Sequence, residues 1–357
     1  MRSIICAAIL AVAAIMPGFA IEKHIDYNDF SALMGKGTPH WNHLQQPTDL
    51  AMLERFESLY QRNKDAQFSA SANEKIPRVI HFIWLGPRTF PPKSVENLRS
   101  WIAYHPDWKI KFWTDRDREP PCAGVEMIDI SNVRFTKLEK CFHDSRNWAE
   151  KSDLLRYEIL LEEGGVYVDH DTYCIASFDP LVRGYDFFCC LEAPHEPFVG
   201  INITVWNGLI GSRPGHPTLS KVIDLVADRW DDVGYRFRGK DLYSQVEVVM
   251  QRTYIAFTQA LEGSLDQSGN TDIVFPAAYF FAKSGIPSIY SKHFSLTMWD
   301  SFKYRKSEIE KLGERSLSKI RRKSSKTMYA TGGFFLLSSL FLALSIKLIR
   351  RKGYENE

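Results

Sequence analysis

The chain of 357 residues has almost no net charge, no internal repeat and no CxxC pair. Each lack excludes something. Lys and Arg number 45 against 43 Asp and Glu, a formal charge of +2, so the strongly basic face of a nucleic-acid binder is not indicated. No nucleic acid is expected among the partners. Cys6, Cys122, Cys141, Cys174, Cys189 and Cys190 lack zinc-site spacing. The five beyond Cys6 read as buried free thiols, with one or two disulfides open if the domain is lumenal. At 45% hydrophobic and 25% charged the composition is globular, and the length suits one large domain or two ordinary ones.

Long apolar runs sit at the two ends. Residues 1–20, "MRSIICAAILAVAAIMPGFA", place one Arg before an apolar stretch that closes on small residues. They read as a signal peptide cut after Ala20 or as an uncleaved signal anchor. Met328–Ile346 is about long enough to cross a bilayer, which takes roughly 20 apolar residues. Arg321, Arg322, Lys323 and Lys326 precede it and Arg350, Arg351 and Lys352 follow, so positive charge does not set the orientation. A single-pass C-terminal transmembrane helix is expected, with a basic linker over 313–327 and a basic tail over 347–357. The expected location is a membrane: the lumenal side of a Golgi-like compartment in a eukaryote, either side in a bacterium.

Between the ends, 21–74 reads as a helical extension and linker. Leu50, Leu53, Phe56 and Leu59 recur at near-helical spacing, and 69–74 is Ser/Ala/Asn-rich. The main domain, 75–312, opens with a short buried strand, Val79, Ile80, Phe82 and Ile83, stopped by Gly86-Pro87. "SVENLRSWIAYHP" predicts a helix, "WKIKFWTD" and "VEMIDI" strands, 147–162 a helix and 166–168 a strand. Strands alternating with helices predict an α/β domain with a mostly parallel sheet.

The stretch "SDLLRYEILLEEGGVYVDHD", Ser152 to Asp171, carries the chemistry. Asn147 and Glu150 resemble a capping box. Leu154, Leu155, Ile159 and Leu160 form a buried stripe, and Gly164-Gly165 end the helix. In parallel sheets ligands gather beyond the carboxyl ends of strands, where Asp169 and Asp171 fall. Two carboxylates so close repel unless a cation lies between them, and hard oxygen ligands suit Mn²⁺ or Mg²⁺. Asp153 and Arg156 share one helix face; alone, such a pair is most often a surface ion pair. Tyr167 reads as packing, and His170 points away from the acids because strand side chains alternate.

"IPRVIHFIWLG", "SDLLRYEILLEEGGVYVDHD", "NGLIGSRPGHP" and "HFSLTMW" follow one another in this order. Over roughly 75–300 the chain resembles glycosyltransferase family 32, the enzymes with a DXD sugar-binding region. That family includes fungal Golgi mannosyltransferases and mannosyl-inositol-phosphoceramide synthases, with clostridial glucosylating toxins more distant. The resemblance implies a GT-A fold, a UDP- or GDP-hexose donor, a divalent metal, usually Mn²⁺, and transfer with retention. It implies that Asp169 faces the ribose or metal and that Asp171 ligates the metal, with His293 completing the shell. It further implies that Asp153 and Arg156 hold the transferred sugar, with Arg156 near the diphosphate. Trp84 would stack on the base, Trp299 would close over the phosphates, and Asn207 would lie near the sugar or acceptor. The acceptor would be a glycan, a lipid head group or a protein.

Two other readings stand beside this one. A membrane-anchored sugar-binding module would bind without turnover. A haloacid-dehalogenase-like phosphatase also sets two acids after an apolar strand, but with Thr or Val two residues after the second acid. Tyr173 occupies that place here. A glycosidase would draw its two carboxyls from different strands, about 5 Å apart in a retaining enzyme, so neighbouring acids in one loop suit a metal better.

Overall fold

A computed structural model describes residues 25–44, 46–68, 73–195, 202–239, 242–267 and 269–294. The signal segment, the basic linker, the 328–346 run, the tail and Trp299 lie outside these residues, as does most of the 69–74 linker. Among the described residues, no helix is long and apolar enough to cross a membrane.

The extension holds α1 (Phe30–Leu33) and α2 (Pro47–Asn63). Leu53, Phe56, Leu59 and Tyr60 turn α2 into the core. Leu50, expected on that stripe, is 47% exposed. Asp49, one residue earlier, is buried instead, so the covered face runs through Asp49, Leu53, Phe56 and Tyr60 and Leu50 falls beside it. The main domain then runs β1 (Val79–Trp84), α3 (Pro92–Tyr104), β2 (Lys109–Thr114), β3 (Glu126–Asp129), α4 (Glu139–Asp144) and α5 (Trp148–Glu163). After them come β4 (Gly165–Val168), β5 (Thr172–Cys174), α6 (Asp179–Gly184), β6 (Phe187–Leu191) and β7 (Val205–Ser212). The rest is α7 (Pro217–Arg236), α8 (Leu242–Val249), a π-helical turn (Met250–Tyr254), α9 (Ile255–Leu261), β8 (Asp272–Phe275) and β9 (Ser291–His293).

Seven strands form one sheet in the order β3-β2-β1-β4-β7-β6-β8. β1 pairs in parallel with β2 and β4, β2 with β3, and β6 with β8. β7 alone runs against its neighbours β4 and β6. The α/β, mostly parallel sheet expected from the alternating elements is therefore present. α2 lies along β8, where Asn63 Nδ2 donates to the Asp272 carbonyl at 2.8 Å and Tyr60 meets Tyr279 at 3.1 Å. The extension thus adds its apolar face to the same core as the sheet.

α5 is buried from Asp153 to Leu160, because α7 covers it on the side away from the sheet. A helix covered all round has no solvated face, so its charged residues need partners. Glu158 takes hydrogen bonds from the Thr136 amide and hydroxyl and from the Lys137 and Leu138 amides, at 2.8–3.2 Å. The expected capping box is half formed. Asn147 Oδ1 accepts from the Ala149 and Glu150 amides, but the Glu150 carboxylate turns to Ser145 Oγ (2.6 Å) and Arg252 (3.5 Å). Gly164 and Gly165 end the helix at φ 67° and 97°. A side chain on Gly164 would strike Pro214, and one on Gly165 would strike the Val79 carbonyl, so close packing and backbone angle both require glycine. Cys122, Cys141, Cys174, Cys189 and Cys190 are free thiols, and burial pushes Cys141 up to about 11 and Cys174 up to about 12.

Candidate functional site

Just beyond β4 the chain makes a tight turn, with the Thr172 amide bonded to the Asp169 carbonyl at 3.1 Å. β5 leaves from that turn. A turn at this point brings the first and third residues to one side and sends the middle one to the other. Asp169 and Asp171 therefore face together while His170 faces away, as alternation predicts. His170 Nδ1 meets Ser94 Oγ at 2.7 Å, and its ring stands edge-on to Trp84 at 4.9 Å. Burial pulls its pKa down, which favours the neutral ring.

Helix α3 pins this turn. Asn97 Nδ2 donates to the His170 carbonyl (3.0 Å) and Trp101 Nε1 to the Thr172 carbonyl (2.8 Å), while Ser100 Oγ accepts from the Cys174 amide (2.8 Å). Ser94 and Asn97 are fully buried, which is unusual for such residues and explains their place. Sequence reasoning assigned α3 no part in the site. The available sign was polar residues three apart on the helix face that also carries Leu98 and Trp101.

β5 pairs antiparallel with β9, setting His293 opposite Thr172. This ribbon carries His293 across more than 120 positions of sequence to the acids. Asp169, Asp171 and His293 each offer a ligand atom, and these atoms lie within 4.8 Å of one another. His293 Nε2 is 3.2 Å from Asp171 Oδ1. The imidazole is walled by Phe281, stacked at 4.8 Å, and by Trp206 at 4.8 Å. Two carboxylate oxygens and one imidazole nitrogen form a donor set that could hold a divalent cation.

Asp153 and Arg156 are not a surface pair. Their side chains are 6% and 4% exposed, with Nη2 2.7 Å from Asp153 Oδ1 and 3.3 Å from Asp169 Oδ1. Burial raises Asp153 to about 6, against the pull of Arg156. Burial disfavours the guanidinium, yet Asp153 foremost, with Asp169, holds its pKa above the ordinary value. Arg156 stays charged and ties the helix to the acidic turn. Its guanidinium lies 4.1 Å over the Tyr167 ring, and the Tyr167 hydroxyl donates to Asp169 Oδ1 at 2.7 Å. Tyr167 is thus more than packing: it anchors one of the two acids.

The reversed strand β7 closes the site. The Asp169 amide bonds to the Gly208 carbonyl at 2.8 Å, and a Cβ at Gly208 would collide with Asp169 Oδ2 and Trp206. Asn207 is fully buried. Its carbonyl accepts from Arg156 Nη1 at 2.7 Å, its Nδ2 donates to the Tyr157 hydroxyl at 3.0 Å, and its Oδ1 has no hydrogen-bond partner among the described residues. Trp84, half-buried at the end of β1, is tethered through Nε1 to the Arg88 carbonyl at 2.9 Å. Asp153, Arg156, Asp169, Asp171, Asn207 and His293 thus gather around one point. Trp84 joins them through His170, and Trp299 lies outside the described residues.

Comparison with known proteins agrees with the sequence blocks. Residues 91–188 match the family model "glycosyltransferase sugar-binding region containing DXD motif". "Subversion of eukaryotic traffic protein A" of Legionella pneumophila is 28% identical over 184 residues, 48% of this chain and 27% of that protein. "Inositol phosphoceramide mannosyltransferase 3" of Schizosaccharomyces pombe is 32% identical over 149 residues, 42% of this chain and 36% of that protein. The chain therefore spans less than half the length of these curated relatives. A solved structure titled "PaToxG Glycosyltransferase" is 16% identical with a TM-score of 0.41, covering 75% of this chain and 87% of its own. The matched segment, which holds α3, α5 and the acidic turn, is thus similar to the sugar-binding region of the DXD-motif glycosyltransferases, the family its sequence resembles.

Proposed function

We propose that the protein is a metal-dependent, retaining glycosyltransferase of GT-A type that moves a hexose from UDP or GDP to a glycan, lipid head group or protein. The observation that carries this reading is the convergence of Asp169, Asp171 and His293 within 4.8 Å beside the buried Arg156. In this reading those three residues hold a divalent ion, Mn²⁺ or Mg²⁺, which when bound neutralises charge on the donor diphosphate. Arg156 adds a fixed positive charge where the leaving diphosphate gains negative charge as the glycosidic bond breaks. Asp153, ionised above about pH 6, accepts hydroxyl hydrogen bonds from the hexose and keeps Arg156 in place. The half-buried face of Trp84 takes the base, since stacking tolerates any base.

The acceptor class draws on the relatives. The Schizosaccharomyces pombe relative is named as an inositol phosphoceramide mannosyltransferase, which supports a lipid head group. We further propose that 75–312 is the catalytic unit and that 328–346 tethers it to a membrane, which would hold the site near a lipid acceptor. The test is incubation of the purified full-length chain with a panel of UDP- and GDP-hexoses and Mn²⁺. Release of UDP or GDP identifies the donor and should vanish in Asp171→Asn. Nucleotide release that survives complete chelation refutes the metal-dependent reading. Donor binding without release would make the protein a sugar-binding module.

A further inference from the structure

We infer that Tyr157 is a positioning residue of this site, and that it acts on Arg156 through Asn207. The inference rests on the transferase reading only for its kinetic readout. Tyr157 follows Arg156 on α5 and is fully buried, its ring stacked on Phe257 at 5.8 Å. Its hydroxyl donates to the Thr253 carbonyl at 3.3 Å and accepts from Asn207 Nδ2 at 3.0 Å. A phenol has one proton. With that proton on Thr253, the oxygen facing Asn207 can only accept, so the amide must present its NH₂ there. Oδ1 is forced to the other side, where it is buried and has no hydrogen-bond partner among the described residues. Burial also raises the Tyr157 pKa, which keeps that proton in place.

The same Asn207 gives its main-chain carbonyl to Arg156 Nη1 at 2.7 Å. Two neighbours on one helix thus grip one residue of β7 at two points, Tyr157 by the amide and Arg156 by the carbonyl. The grip fixes the peptide, and the peptide aims the guanidinium so that Nη2 reaches Asp153 and Asp169. The far end is anchored in the π-helical turn, a geometry that recurs at functional sites. Thr253 is itself fixed there: its carbonyl takes Tyr157, and its hydroxyl donates to the Val249 carbonyl at 2.8 Å. Nothing in the acidic motif, the metal set or the matched blocks assigns these roles to Tyr157 and Thr253.

The test uses Tyr157→Phe, Asn207→Ala and the double variant in the full-length chain. Three quantities are measured: kcat and KM for Mn²⁺-dependent nucleotide-sugar hydrolysis, Mn²⁺ affinity by the loss of free-ion paramagnetic resonance, and Tm. Tyr157→Phe removes one oxygen and keeps the ring. It should lower kcat about tenfold, because a slightly misaimed group loses transition-state contact. Donor KM should stay within about threefold, and Mn²⁺ affinity should not change, because Tyr157 touches no member of the metal set. The double variant should be no slower than Asn207→Ala, since both remove one relay. A merely structural role would shift Tm and spare kcat, which overturns the inference, as would additive losses in kcat. If the wild-type protein hydrolyses no nucleotide sugar, the transferase reading fails on its own. The Tm cycle then decides the relay: coupled losses support it and additive losses overturn it.

Discussion

Replacing Arg156 by Ala should destabilise the protein strongly at alkaline pH and much less at acid pH. Asp153 is buried, and Arg156 is the nearest opposite charge, 2.7 Å away. Removing one member of a buried pair leaves an uncompensated carboxylate, which costs about 3–5 kcal/mol. The native burial already lifts Asp153 to about 6 with Arg156 present. Without Arg156 it must rise further, since burial then loses the charge that opposes it most. The sign follows. A carboxyl whose folded pKa lies above its unfolded value contributes stability at low pH, and that contribution is lost as pH rises through the folded pKa. The variant therefore recovers stability, relative to the wild type, as pH falls below the variant's new value. A further rise of two units would return about 3 kcal/mol between pH 8 and pH 5, at about 1.4 kcal/mol per unit. Urea unfolding of both proteins at pH 8 and pH 5 measures this directly. An equal loss at both pH values would refute the claim that Arg156 balances a buried charge. A loss under about 1 kcal/mol at pH 8 would mean that the pair is worth no more than a surface one.

Other expectations follow from the same geometry. Nucleotide-sugar hydrolysis should fall about tenfold per unit as pH drops below about 6, because protonated Asp153 no longer pairs with Arg156; a pH–rate profile of kcat/KM flat to pH 5 would count against it. Gly208→Ala should lower turnover and Mn²⁺ affinity together, since its methyl displaces Asp169; a crystal structure with Asp169 unmoved would contradict this. His293→Ala should weaken Mn²⁺ binding by about tenfold or more, as loss of one ligand does, whereas Ser94→Ala should leave binding intact and shift only Tm. Equal effects of these two on ion affinity would remove His293 from the metal set.

Much of the sheet and part of the site were legible because they are local. The strand at Val79, the helix over 147–162 and the strand at 166–168 each lie within one residue or so of the observed elements, since periodicity and glycine punctuation are short-range properties. Asp169, Asp171, Asp153 and Arg156 sit within 19 residues of one another and could be read together. The supports were hidden because they depend on tertiary contact. Ser94, Asn97 and Trp101 act on the turn only because α3 packs across β5. Tyr167 alternates with two valines and looks apolar, yet its hydroxyl meets Asp169 because the chain turns immediately afterwards. Leu50 failed for the converse reason: spacing names a broad stripe, but packing sets its edge, and here Asp49 rather than Leu50 lies on the covered face.

One topological reversal explains why these pieces meet. Had β7 run parallel to β4, its entry would lie at the far end of the sheet and Asn207 and Gly208 could not stand beside Asp169. Running antiparallel, β7 starts its pairing with β4 at Leu209 opposite Val168, so the residues before Leu209 overhang the acidic turn. The Asp169 amide continues the ladder to the Gly208 carbonyl, and Arg156 then reaches the next carbonyl, that of Asn207. The turn that aligns the two acids is therefore held from three sides: α3 below, β9 opposite, and the overhang of β7. β9 and β7 hold it by backbone hydrogen bonds and α3 by buried side chains, all from regular elements that are rigid at little entropic cost once the core has formed. Two like charges brought this close repel, and such a frame resists that repulsion in the free protein. The scaffold around Asp169 and Asp171 thus accounts for why the two acids keep a common orientation.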